Sequence, residues 1–155
     1  VMNRGALLQV GPPHLIYEHP ADEFVARFVG TANVLPIAAD GGYVAGDPEF
    51  RLPVAQEGGK AVIRPEDITA REDVQPGFFK THVETSMYMG DHVLCFLRRG
   101  ENHLTVRLSR EIHPVAGQNL YLKVRVAATV PTGSLDRAET NPSRITDVPI
   151  AAPEP

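Results

Sequence analysis

Residues 61–68, Ala61-Val62-Ile63-Arg64-Pro65-Glu66-Asp67-Ile68, carry a short apolar strand into a proline-locked corner, after which apolar character resumes at Ile68. Pro65 has no N–H to give to a ladder, and its ring pushes Arg64 toward an extended backbone, so the strand is predicted to stop at Arg64. One arginine and two carboxylates within four residues is dense charge for a turn. Taken alone, the corner reads as a strand end with a solvated charge cluster. Its company favours a structural pair of Arg64 with Glu66 over an acid and a base.

Downstream, residues 79–89 alternate: Phe79, Thr81, Val83, Thr85, Met87 and Met89 on a buried face, with Lys80, His82, Glu84, Ser86 and Tyr88 on a wet one. Gly90-Asp91 turns the chain, Val93, Cys95 and Leu97 continue inward, and Gly100-Glu101-Asn102 turns it again into Leu104, Val106 and Leu108. A loop holding Pro114 and Gly117 leads to Leu120, Leu122, Val124 and Val126. Upstream, strands are predicted over 33–39, 43–45, 50–54 and 60–64, separated by Gly41-Gly42 and Gly58-Gly59. Strands this short and this regularly punctuated imply a mainly β fold, a small closed or nearly closed antiparallel barrel of OB-like type, because closure removes exposed edges.

Before residue 31 the pattern is different. Residues 6–10 form a strand candidate, Pro13 opens a brief helix over 14–18, and His19-Pro20 ends it. Asp22 and Glu23 open a second helix bearing Phe24, Val25, Phe28 and Val29, with Gly30 as a left-handed cap. No partner for this apolar helix is evident in the strands that follow, which sets a boundary at residue 30 and makes Phe24, Val25, Phe28 and Val29 candidates for a contact between domains or copies. The organisation expected is therefore 1–30, 31–126 and a tail at 127–155 that is disordered or loosely docked, its period lost to Pro, Thr, Ser and Ala.

Composition removes several functions. The 155 residues are 43% hydrophobic and 22% charged with a net charge of -4, an ordinary globular balance and a poor one for coating phosphate backbones. No apolar run approaches the ~20 residues that span a bilayer, and Val1-Met2-Asn3-Arg4-Gly5 lacks a signal core, so a cytoplasmic placement inside a longer chain is expected. Cys95 is the single cysteine; it cannot form an intrachain disulfide and reads as a buried small hydrophobe. Gly59-Lys60 is no P-loop, since Val54 and Ala61 stand where a glycine and a hydroxyl are needed. G-x-S-x-G and H-E-x-x-H are absent too. His82, His92, His103 and His113 recur evenly, but a meander spreads them over different heights rather than clustering them for a metal. The stripe of Arg98, Arg99, Arg107, Arg110, Lys123 and Arg125 lacks the aromatic platforms of a single-strand binder. No catalytic residue, metal ligand or cofactor site is assigned, and nucleic acid is not expected as a partner.

Four pieces together resemble the C-terminal part of an ATPase subunit of the ABC importer family, the branch serving maltose, polyamines, ferric iron, sulfate and glycerol phosphate. They are residues 2–5 with 9–20 (Gln9-Val10-Gly11-Pro12-Pro13-His14-Leu15-Ile16-Tyr17-Glu18-His19-Pro20), residues 24–30 (Phe24-Val25-Ala26-Arg27-Phe28-Val29-Gly30) with Asn33, residues 63–68, and Met89-Gly90-Asp91. The resemblance covers residues 1 to about 126. It implies that residues 1–30, a short strand and two short helices, are left over from the nucleotide-binding domain, and that the rest is a transport-associated OB (TOBE) domain. In that domain Arg64, Pro65, Glu66 and Asp67 are the signature, and Gly30, Asn33 and Gly90 are structural markers. It also implies a regulatory, homodimerising module without turnover of its own, the P-loop, signature helix, Walker B carboxylates and switch histidine lying upstream. ATP and magnesium then belong only to a full-length parent. That parent works with membrane permease subunits and a substrate-binding protein, peripheral to the inner face of the plasma membrane. Two other readings stay open: an OB-like sensor of an oxyanion or of the transported substrate, and an OB nucleic-acid binder. The tail after Ala127 lacks the closing strand usual in the family.

Overall fold

Strand β6 (Lys60–Ile63) is buried on both faces, which three consecutive apolar residues permit and an alternating strand does not. The computed structural model describes residues 1–54 and 56–132, and in it β6 is the middle of a three-stranded antiparallel sheet between β3 (Asn33–Pro36) and β12 (Ala128–Val130). Ala61 and Ile63 point into the main core, whereas Val62 points the opposite way and meets Ala26 and Val130 in a second, smaller cluster. The sheet is therefore a middle layer, with the strand body on one side and the N-terminal helices on the other.

The body is a five-stranded antiparallel sheet, order β10-β9-β8-β11-β7, curled into a half-barrel. Its members are β7 (Ile68–Arg71), β8 (Phe79–Tyr88), β9 (His92–Arg99), β10 (Asn102–Ser109) and β11 (Asn119–Val124). Val93, Cys95, Leu97, Leu104, Val106 and Leu108 all point inward as the alternation requires. Burial pushes the Cys95 thiol up to about 11, so it behaves as a packing residue. A small hairpin, β4 (Tyr43–Val44) and β5 (Asp47–Arg51), brings Phe50 against Phe79 with ring centroids 4.0 Å apart. The mainly β, OB-like architecture expected from the strand spacing is the one observed.

The differences have local causes. In β8, Val83 lies opposite Leu97 and Thr85 opposite Phe96, so Glu84 is an extra residue that breaks the alternation. Beyond it the faces exchange, and Met87 and Met89, expected inside, are 54% and 48% exposed. Val126, expected as an inward residue, lies past the end of β11 and is exposed. The tail expected from residue 127 begins instead with a strand, because β6 has an open edge that Ala128–Val130 fills, burying Val130; residues 133–155 lie outside the described residues. The pairing is close at Gly59, where φ is +79° and a Cβ would come within 2.8 Å of the Val130 carbonyl oxygen.

The N-terminal segment holds a tight hairpin, β1 (Met2–Asn3) with β2 (Ala6–Leu7), followed by α1 (Pro13–Glu18) and α2 (Glu23–Phe28). Asp22 caps α2 by accepting the Val25 N–H at 2.8 Å. Contrary to the expectation that α2 lacks a partner among the strands, Val25 and Ala26 are wholly buried, Ala26 against Val62 of β6. Val25 is thus interior and Val29 partly covered. Phe24 and Phe28 remain toward the outside, their rings stacked at 5.8 Å, with Phe28 65% exposed.

Candidate functional site

The corner at residues 64–67 is where the layers are joined. Arg64 is extended (φ -77°, ψ 146°), as a residue before proline should be, and Pro65–Asp67 form one 3-10 turn between β6 and β7. The extended backbone aims the Arg64 side chain away from the half-barrel and toward the helices, where it is only 5% exposed. Its Nη1 donates to the carbonyls of Ala26 (2.8 Å), Thr31 (3.2 Å) and Gly30 (3.3 Å), and Nη2 donates to that of Tyr17 (2.9 Å). The guanidinium carbon also sits 3.9 Å from the centre of the Tyr17 ring.

Two of these acceptors, Tyr17 and Ala26, are carbonyls that helix ends leave without partners, and Gly30 and Thr31 follow the end of α2. Tyr17 is in the last turn of α1 and Ala26 in the second half of α2, so one buried cation meets the negative ends of both helices. Each helix has six residues, too few to persist in water unaided. Arg64 supplies what the helices cannot. Burial pulls the guanidinium below its ordinary value, with Tyr17, Glu66 and Asp67 acting in the opposite direction; it remains a charged five-donor fork.

Arg64 and Glu66, expected as a structural pair, make no direct ion pair and are joined through Tyr17. Glu66 accepts from the Tyr17 hydroxyl at 2.5 Å, so the two charged residues of the corner meet across one tyrosine, Arg64 on its ring and carbonyl and Glu66 on its hydroxyl. Burial first, and then the bond to Glu66, push the Tyr17 hydroxyl up to about 12, which keeps it a donor at neutral pH. Burial, with Glu66 beside it, also raises the Asp67 carboxyl. From the other side Arg125 gives its backbone N–H to the Asp67 carbonyl (2.9 Å) and Nη2 to the Glu66 carbonyl (2.5 Å), fastening the end of β11 to the same turn.

Gly30 is at this junction for a reason other than the left-handed cap expected of it. The C-cap is Val29, in right-handed geometry, and Gly30 is not among the residues with positive φ. A Cβ on Gly30 would stand 3.1 Å from the Tyr17 ring, a tight contact that the absence of a side chain relieves. Asn33 closes the opposite seam. Its Oδ1 accepts the Thr105 N–H at 2.6 Å and its Nδ2 donates to the Thr105 carbonyl at 2.8 Å, so one side-chain amide joins β3 to β10 where no ladder does. Asn33→Ala is expected to cost about 2–3 kcal/mol in urea unfolding, since it leaves two backbone groups of β10 unpaired at a largely buried seam. A loss below about 0.5 kcal/mol would show that water replaces the amide. Gly90, with φ of +98°, belongs to the β8–β9 turn, away from the corner.

A second link had no signal in spacing: Lys60 donates to Glu23 at 2.5 Å, and Arg27 pairs with the same carboxylate at 2.9 Å. The Lys60 bond above all holds the Glu23 carboxyl below the usual range. Beneath the corner lies an open cleft of about 440 Å³ bounded by Tyr17, Glu18, His19, Arg64, Asp67 and Thr129. Its lone buried arginine already gives its terminal nitrogens to carbonyls.

The other candidates disperse. His92 contacts Asp91, His103 contacts Glu84, and His113 lies near Tyr88. Of the basic stripe, Arg99 makes a three-bond fork to Asp47 and Glu49, Arg98 faces Glu84, and Arg107 pairs with Asp91.

Residues 61–131 match the TOBE domain family. Among curated relatives, the chain is 35% identical over 141 aligned positions to the sn-glycerol-3-phosphate import ATP-binding protein UgpC of Salmonella choleraesuis, covering 79% of this chain and 37% of the relative. It is 34% identical over 145 positions to the Fe(3+) ions import ATP-binding protein FbpC of Brucella abortus, covering 87% and 39%. Against the sulfate/thiosulfate import ATP-binding protein CysA of Gloeobacter violaceus it is 31% identical over 143 positions, covering 88% and 39%. The chain thus spans less than two-fifths of the length of the curated relatives it matches.

Proposed function

Residues 61–131 form a TOBE domain, the relatives of the chain are ATP-binding subunits of ABC importers, and from that premise we propose that it is the regulatory and pairing module of such a subunit, without turnover of its own. The observation that carries this reading is the Arg64 clamp. Four carbonyls of the N-terminal helical segment converge on a residue of the strand body, so a displacement of one must be transmitted to the other. A module built this way relays the position of whatever precedes its helices. If its body also pairs with a second copy, closure of the preceding domains becomes an intramolecular hinge with a high effective concentration.

In this role the whole subunit hydrolyses ATP with magnesium, works with membrane permease subunits and a substrate-binding protein, and lies at the cytoplasmic face of the membrane. No helix among the described residues is long and apolar enough to cross one. The test is twofold. The chain is expected to show no ATP hydrolysis above the magnesium–buffer background and to self-associate in sedimentation. Measurable turnover would remove the non-catalytic role, and a strict monomer at high concentration would remove the pairing role. Calorimetry with sulfate, molybdate, phosphate, spermidine and ferric citrate is expected to give no heat; binding of any would favour the sensor reading. A salt-sensitive shift with single-stranded DNA would favour the nucleic-acid reading.

A further inference from the structure

The outer side of the half-barrel sorts its charges around one ring. Along β11, Leu120, Leu122 and Val124 are buried, so Tyr121 and Lys123 point outward. Register places Arg71 of β7 on one side of Tyr121 and Lys80 of β8 on the other. One row along, His82 lies beside Arg98 of β9. Neighbouring strands are about 4.8 Å apart and alternate residues about 6.8 Å apart, so Arg71, Lys80 and Lys123 all start close to Tyr121. All three cations are exposed, and the tyrosine between them is partly buried. Among the described residues, no ion pair includes Arg71, Lys80, His82 or Lys123. The carboxylates next to them in the chain are engaged elsewhere: Glu84 faces Arg98 at 3.7 Å and His103 at 3.2 Å, Glu72 accepts from Gln118 at 3.2 Å, and Asp73 accepts from Gln75 at 2.5 Å.

A chain of net charge -4 thus gathers unpaired cations on adjacent strands around an aromatic ring. Like charges so placed repel, and an anion seated on them removes that cost. We propose that this face is the docking surface for an acidic segment of a partner protein, with carboxylates on both sides of an apolar residue. Arg71 and Lys80 straddle Tyr121, so two carboxylates can pair with them while the apolar residue covers the ring, and Lys123 is placed for a third. Such a surface needs no second copy of the chain and goes beyond the pairing role. Charge complementarity selects this occupant over other anions. A nucleic-acid strand stacks its bases on exposed ring faces, whereas Tyr121 and Phe96, the aromatics on the outward side of β11 and β9, are both partly buried. An anionic bilayer is held by clusters of about 4–8 lysines and arginines, more than the unpaired Arg71, Lys80 and Lys123 supply.

The probe is a fluorescein-labelled peptide, Glu-Ser-Leu-Ser-Glu repeated in tandem, followed by anisotropy. It is expected to bind the wild-type chain at low salt and to weaken as salt rises. It should bind at least about tenfold more tightly than the same peptide with glutamine in place of glutamate. Lys80→Glu combined with Lys123→Glu, both at exposed positions, is expected to weaken binding at least about tenfold while keeping the wild-type urea midpoint. Arg51→Glu combined with Arg110→Glu makes the same change of net charge on β5 and beyond the end of β10, and should leave affinity within about twofold. No binding at low salt would overturn the proposal, and so would equal losses from the two double variants. Tighter binding of single-stranded oligothymidylate, or of vesicles with equal parts phosphatidylglycerol and phosphatidylcholine, would overturn it in favour of a phosphate backbone or a membrane. A changed sedimentation state in the Lys80→Glu, Lys123→Glu variant would overturn it in favour of a second copy.

Discussion

Arg64→Ala is expected to destabilise the chain by on the order of 3–5 kcal/mol in urea unfolding, because four carbonyls, one in a buried bond and three in part-buried ones, lose their donor at once and each unpaired group costs about 1–3 kcal/mol before water and relaxation recover part of it. Against a typical total of about 5–15 kcal/mol this is a large fraction. The loss should be uneven. The strand body keeps its own core, so the helical segment is the part expected to detach, with a lower unfolding cooperativity as the signature. Two companions identify the cause. Arg64→Lys keeps a charge but replaces a planar fork by one ammonium, and should recover no more than about half of the loss. Arg107→Ala, which removes an exposed pair with Asp91, should leave the urea midpoint close to that of the wild type. Equal effects at Arg64 and Arg107 would reduce the clamp to a surface charge.

Phe50→Ala is the second large effect. Phe50 is wholly buried and stacks on Phe79 at 4.0 Å, the contact through which the β4–β5 hairpin closes on the half-barrel. Truncation leaves a cavity among well-packed neighbours, and about 3–5 kcal/mol is expected. Phe50→Leu should cost markedly less. Unlike Arg64→Ala, both should lower the stability of the strand body itself while α2 stays attached until the body unfolds. An Arg64-like pattern, with the helices leaving first, would contradict the division into layers.

Much of this was legible in the residues because local rules were obeyed. The alternation of Val93, Cys95 and Leu97, and of Leu104, Val106 and Leu108, fixed which faces are buried, and Pro65 fixed where β6 ends. The unbroken run Ala61-Val62-Ile63 already contained the news that β6 is covered on both sides, and hence that something lies behind it. That something is α2, and reading the helix as unpartnered missed it because Val62 and Ala26 are far apart in sequence. The bulge at Glu84 was illegible for a different reason: a bulge adds a residue without altering composition, and a strict period of two then misplaces every later side chain, Met87 and Met89 among them. At the corner, the sequence singled out Arg64, Glu66, Gly30 and Asn33 but not the geometry. Charge proximity in sequence suggested an Arg64–Glu66 pair, whereas the partners of the guanidinium are carbonyls, which every residue has and which no motif marks. Tyr17 stands in the 9–20 piece with nothing to mark its role, being one ring in a segment without periodicity, yet both charged residues converge on it.

The central claim is that Arg64 makes the N-terminal helices and the strand body one mechanical unit, and amide hydrogen exchange on the wild-type chain tests it most directly. A six-residue helix left to itself would exchange its amides nearly as fast as an unfolded peptide. The Ala26 and Val29 amides, bonded to the carbonyls of Asp22 and Val25, are instead expected to be protected to within about tenfold of those of Ala61 and Ile63 in β6, and to lose that protection in Arg64→Ala. Fast exchange at Ala26 and Val29 in the wild type, beside a protected β6, would contradict it.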